Sequence, residues 1–130
     1  MVVSGERKNL NAKSYRDLKV WQKSIELARE IYSTTREFPK DERFGLTNQV
    51  RRAGVSICSN IAEGQARRTT KDFVQFLYIS RGSLAELDTQ LTLSHKLGYL
   101  DEENYQKLLI QIDEIQRMLF SMIAKLGGSR

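Results

Sequence analysis

From Phe73 to Ser94 the residues Phe73, Leu77, Ser80, Leu84, Leu87, Leu91 and Ser94 recur at steps of four, three, four, three, four and three. A repeat averaging 3.5 residues holds one stripe on one side of a helix, whereas a strand would turn every second residue to its opposite face. The pair Thr69–Thr70, with Asp72 placed to complete a cap, offers a start, and Gly98 offers a stop. The segment therefore predicts a helix of roughly 28 residues, about 42 Å long. A stripe of that length has to be buried against partners of comparable length.

Three more amphipathic segments supply them. The first opens at Ser14, with Asp17 three residues on as in a capping box, and its core stripe reads Leu18, Trp21, Ile25, Ala28 and Tyr32 before Phe38–Pro39 ends it. The second runs from about Leu46 to Glu63, stopped by Gly64, with core positions Leu46, Val50, Ala53, Ile57 and Ile61. It is rich in small residues (Ala53, Gly54, Ser56, Cys58, Ser59, Ala62), which let helix axes approach closely and mark it as the inner helix. The last is capped by Asp101, followed by Glu102 and Glu103 at its positive end, and repeats Tyr105, Leu108, Ile112, Ile115, Leu119, Met122 and Leu126 up to Gly127–Gly128. Short connections favour antiparallel neighbours, so the expected architecture is all-α, an antiparallel up-down-up-down four-helix bundle over residues 14–127, with residues 1–13 a flexible N-terminal tail.

Composition agrees. A chain of 130 residues is one domain's worth, and with 40% hydrophobic and 28% charged residues it can bury a core. No apolar run approaches the roughly 20 residues that span a bilayer, so no membrane partner is expected. The single cysteine, Cys58, excludes an intrachain disulfide and fits a reducing, cytoplasmic setting.

A bundle helix needs one apolar stripe, and the first helix carries two. Val20, Leu27 and Ile31 line a face about 100–140° from the core stripe, and the second helix adds Val55, Cys58 and Ala62. Val20, Leu27, Ile31, Val55 and Cys58 are therefore the expected oligomer interface, set against a wide core stripe wrapped by neighbouring helices.

The net charge of +5 is concentrated. Residues 43–71 hold Arg43, Arg51, Arg52, Arg67, Arg68 and Lys71 against Glu63 alone. In an up-down-up-down bundle the start of the first helix, the second turn and the end of the fourth helix share one pole. It would collect Arg16, Lys19, Lys23, Arg67, Arg68, Lys71, Lys125 and Arg130 against Asp17, Glu63 and Asp72. The opposite pole sets Glu37, Asp41, Glu42, Asp101, Glu102 and Glu103 against Arg36, Lys40, Arg43 and Lys96, and is weakly acidic. A cationic cluster of this kind attracts phosphate backbones without reading sequence, or is simply a solvated surface.

Little in the chain suggests catalysis. His95 is the only histidine, so triads and multi-histidine metal sites lack parts; Thr92 three residues before it breaks the Glu-x-x-His pattern of di-iron bundles; and the glycines at 45, 54, 64, 82 and 98 are isolated rather than gathered in a phosphate loop. No cofactor or metal is implied. A polar run on the second helix, Arg52, Ser56, Asn60 and Glu63 with Ser59 beside them, reads either as glue between helices, with Arg81 and Glu86 as partners, or as a ligand or nucleic-acid site.

The run Gln49–Gly64, QVRRAGVSICSNIAEG, resembles the hallmark of the four-helix bundle proteins encoded by intervening sequences in bacterial 23S ribosomal RNA genes. LKVWQKSIEL at Leu18–Leu27, FVQFLYISRGSLAEL at Phe73–Leu87 and KLGYL at Lys96–Leu100 agree with it, so the similarity spans about residues 15–126. One departure is Cys58, where proline or another small residue would be expected. The resemblance implies a cytoplasmic bundle assembled as a ring, a homopentamer, and carries no biochemical role with it. A distant bundle relative, the accessory protein of diversity-generating retroelements, is a basic pentamer that binds nucleic acid and a reverse transcriptase.

The reading that follows is a non-enzymatic, homo-oligomeric bundle that binds RNA or DNA phosphates through Arg67, Arg68 and Lys71, supported by Arg16, Lys19 and Lys23, with Arg51 and Arg52 as further candidates. The alternative is a scaffold or accessory subunit that binds a protein partner and makes no direct contact with nucleic acid.

Overall fold

The computed structural model describes residues 14–127, which contain helices and turns and no strand. The helices are α1 (Lys19–Thr35), α2 (Leu46–Gln65), α3 (Thr70–Lys96) and α4 (Glu102–Lys125), with short 3-10 turns at Tyr15–Asp17 and Lys40–Glu42. The expected tail at 1–13 lies outside the described residues.

The caps act largely as the sequence suggests. The Thr69 hydroxyl accepts the Asp72 N–H at 3.1 Å, and the Asp101 carboxylate accepts the Asn104 N–H at 2.8 Å, each satisfying a donor that the first helical turn leaves free. Ser14 and Asp17 do form a capping box, but it closes the turn Tyr15–Asp17; Leu18 is extended, and α1 starts one residue later. Helix α3 ends where Gly98 takes a φ of +83°, a conformation that side chains with a Cβ adopt only under strain.

Gly64 does not stop α2, which runs on to Gln65. It sits inside the helix because α3 passes too close for any side chain: a Cβ there would lie 2.5 Å from Cβ of Phe76 and 3.3 Å from the Phe73 carbonyl oxygen. Cys58 leaves α2 unbroken and is itself buried, so its departure from the expected residue type has no effect on helical geometry.

On α2 and α3 every residue of the expected core stripes is buried, and on α4 Leu108, Ile112, Ile115 and Leu119 are, joined by Ile123. On α1 the two stripes exchange places beyond Leu18, which is buried as expected. Val20, Leu27 and Ile31 are 1%, 0% and 0% exposed and form the core face with Ser24 and Thr35, while Ile25 and Tyr32 face outward and Trp21 and Ala28 are half-buried. The expected interface of Val20, Leu27, Ile31 and Cys58 is therefore interior, and only Val55 of that set is exposed. The physical reason lies in the side chains between: Ser24 and Thr35 return their hydroxyls to the Val20 and Ile31 carbonyls at 2.7 Å, so that face can enter a dry core, whereas Tyr32 and Trp21 carry polar tips that favour the boundary.

Touching residues show how the helices run. Thr35 meets Arg51 and Ile31 meets Gly54; Ser56 meets Ser83 and Gly64 meets Phe73; His95 meets Glu102; Lys23 meets Glu114. Between α1 and α2, and again between α2 and α3, the numbers climb on one helix as they fall on the next, which is the register of antiparallel neighbours. The most extensive seam is α2 with α3.

Candidate functional site

The polar run on α2 divides. Ser56 and Asn60 are glue: the Ser56 and Ser83 hydroxyls share a hydrogen bond at 2.8 Å, Asn60 donates to the Ser56 carbonyl at 2.8 Å and to its hydroxyl at 3.0 Å, and the buried Ser80 hydroxyl donates to the Ile57 carbonyl at 2.9 Å. Sequence reasoning missed Ser80 and Ser83 as partners, although both lie on the α3 core side. Glu63 instead pairs with Arg67 at 3.0 Å, and Arg52 is exposed beside Glu86 across a cleft of about 280 Å³ without an ion pair among the described residues. Arg81 lies over the Tyr78 ring.

The expected cationic cluster is also divided. The α1–α2 register, with 35 beside 51 and 31 beside 54, brings residues 18–20 level with about 65–67 at 1.5 Å per residue. Lys19 and Lys125 line one groove of about 390 Å³ between α1 and α4, floored by Val20, Met118 and Met122 and edged by Arg117 and Ser121. Three separate stretches, 16–19, 67–71 and 125, thus meet at one end. There Arg16, Lys19, Arg68, Lys71 and Lys125 are exposed and form no ion pair among the described residues. Aromatic rings hold two arginines: Arg16 lies 5.7 Å from the Trp21 ring and 5.8 Å from that of Tyr15, and Arg67 lies 4.8 Å from that of Phe76.

Lys23 sits further along α1 and pairs with Glu114 at 3.1 Å, rather than facing Glu26, which holds Arg29. Arg51 and Arg52 do not belong to this cluster. Arg51 is 16 positions before Arg67, about 24 Å along the helix, and is built into the α1–α2 seam: it donates to the Thr35 hydroxyl at 2.8 Å and lies 4.6 Å from the Tyr32 ring. The sequence grouped them because a stretch of charge was counted without its helical length.

The groups that could do chemistry are tied up. The Cys58 thiol is pushed up from its ordinary value by burial, only partly offset by backbone hydrogen bonds, and so stays protonated and inert. His95 stacks on Tyr105 at 4.3 Å and meets Glu102 at 2.9 Å, a helix-end contact between α3 and α4. Among the described residues no group of three or more His, Cys, Asp or Glu could hold a metal ion, and no helix is long and apolar enough to cross a membrane.

Comparison with known proteins bears on the family and the fold. The family model described as 23S rRNA-intervening sequence protein matches residues 16–121. A crystal structure of a protein of unknown function from the S23 ribosomal protein family of Bacteroides thetaiotaomicron is similar, with a TM-score of 0.72 and 29% identity over 80% of this chain and 97% of that one. No curated protein matches.

Proposed function

Because the chain belongs to the family of 23S rRNA-intervening sequence proteins, with residues 16–121 matching, we propose that it works by binding and not by catalysis, as a homo-oligomeric bundle that holds RNA or DNA phosphates at its basic end. The observation that carries this reading is the meeting of five cations without ion-pair partners among the described residues, Arg16, Lys19, Arg68, Lys71 and Lys125, around the 66–69 turn and the α1–α4 groove. Such a surface gains affinity by releasing counterions from a phosphate backbone, so binding weakens steeply with salt and is indifferent to base sequence. Replacing Arg67, Arg68 and Lys71 by Glu should abolish retention of RNA at low salt in a gel-shift titration and leave the assembly intact; unchanged retention rejects the assignment.

The assembly uses the outward stripe of α1. Ile25 and Tyr32, with half-buried Trp21 and Ala28 and exposed Val55, form the surplus apolar face that the sequence assigned to Val20, Leu27 and Ile31. Family likeness makes a pentameric ring the expected form, and a cyclic arrangement with bundle axes along the symmetry axis would gather every basic end on one face, multiplying a weak contact. Light scattering on Ile25→Glu tests it: an unchanged mass removes this stripe from the interface. A second reading, docking of a polypeptide, is favoured by the apolar floor of the α1–α4 groove. It predicts salt-insensitive capture and an absorbance ratio at 260 and 280 nm free of nucleic acid before any high-salt wash.

A further inference from the structure

At the far end of the bundle, between the end of α1 and the start of α2, lies a cavity of about 360 Å³ lined by Thr35, Arg36, Phe38, Pro39, Lys40, Arg43, Thr47 and Arg51. Four of its eight lining residues are cations and none is an acid. Arg36, Lys40 and Arg43 form no ion pair among the described residues; Arg43 lies 5.3 Å from the Phe44 ring, and Arg51 is oriented by its bond to the Thr35 hydroxyl. The neighbouring acid Glu42 is engaged elsewhere, accepting from the Leu46 N–H and the Tyr99 hydroxyl at 3.0 Å each.

From a cavity of ligand size whose charged lining is entirely cationic, we propose that this pocket binds a small phosphate anion, either free or as the phosphoryl group of a small ester. Guanidinium groups of Arg36 and Arg43 offer forked donors to its oxygens, and Lys40 and the seam-bound Arg51 add positive charge. The site is separate from the basic end: Arg51 stands 14 residues, about 21 Å, before the end of α2 at Gln65.

Titration of inorganic phosphate and, separately, of adenosine monophosphate into the isotope-labelled full chain, followed by amide chemical shifts, tests it. Saturable shifts centred on residues 35–51 are expected, at about millimolar affinity or tighter. Equal response to both probes marks the phosphoryl group alone as recognised; saturation by the monophosphate only marks an ester as the ligand. Lys40→Gln with Arg43→Gln, both surface changes that leave the fold alone, should weaken binding about tenfold. Arg68→Glu with Lys71→Glu should leave it unchanged. No saturable shift, shifts centred on residues 64–71, or full binding by the variant changed at Lys40 and Arg43 overturns the proposal.

Discussion

The 66–69 turn and the α1–α2 corner, at opposite ends of the bundle, carry similar numbers of cations and arrange them in opposite ways. At the 66–69 turn the charges are convex: Arg68 and Lys71 stand in solvent, and Arg67 is braced on Phe76. At the α1–α2 corner they are concave, with Arg36, Lys40, Arg43 and Arg51 around one cavity. A convex cluster suits a long polyanion that can touch many charges at once, since each contact is weak and screened by salt. A concave one suits a small anion surrounded on several sides, where lower polarity strengthens every contact. Summed over the whole of the second end, acids slightly outnumber bases; around the cavity itself every charged lining residue is a cation, so a small anion meets a positive surface there.

The sharpest way to break the comparison is to reverse charge at one end and read both. Glu at positions 67, 68 and 71 should cost about a hundredfold or more in RNA affinity at low salt, while phosphate binding at the α1–α2 corner stays as it was. Loss of both would mean that the ends are not separate. A smaller effect comes from the packing beneath the convex turn. Gly64→Ala forces the α3 segment at Phe73 and Phe76 away and should destabilise the fold by about 1–3 kcal/mol in urea unfolding, without changing the phosphate response. Smaller again, Glu42→Gln keeps an acceptor oxygen and removes one negative charge near the corner; phosphate should bind a few-fold more tightly, and weaker binding would show that the carboxylate positions the cations instead.

The smallest effect is one of pH. The hydrogen bond to Glu42, with burial and the charges of Glu42 and Asp41 adding to it, raises the Tyr99 hydroxyl above its ordinary value. The folded chain therefore holds that proton more tightly than the unfolded one, so the contribution is complete below the ordinary phenol value and is lost as pH rises through the folded value. Urea midpoints at about pH 9 and pH 11 should fall less steeply for Tyr99→Phe than for the parent chain.

Element ends and three of the four core faces were legible because they rest on local chemistry: Thr69 and Asp101 as caps, and a 3.5-residue repeat on α3 that admits one buried side. The α1 face was not. Leu18–Trp21–Ile25–Ala28–Tyr32 and Val20–Leu27–Ile31 are both helical stripes, and their order of burial depends on which polar neighbours can satisfy themselves inside, a matter decided by Ser24 and Thr35. The small residues of α2 announced a close approach, yet Gly64 passed for a stop because its crowding comes from Phe73 and Phe76 on the next helix. Arg16, Lys19, Arg67, Arg68 and Lys71 could be gathered from topology alone. The corner cavity could not, since Arg36, Lys40 and Arg43 stand in sequence among Glu37, Asp41 and Glu42, and only the fold separates the two signs.

Cys58 is the sole sulfhydryl of the chain, shut inside α2 and donating to the Val55 carbonyl at 3.3 Å. A reagent reaches it only when the helices momentarily part, so its rate of alkylation is a stopwatch for the breathing of the bundle, available with no engineered label. Ring closure over Val55, one turn away, would slow that clock, and a phosphate seated at Arg51 on the same helix would slow it again, turning a single atom into a common gauge for assembly and occupancy.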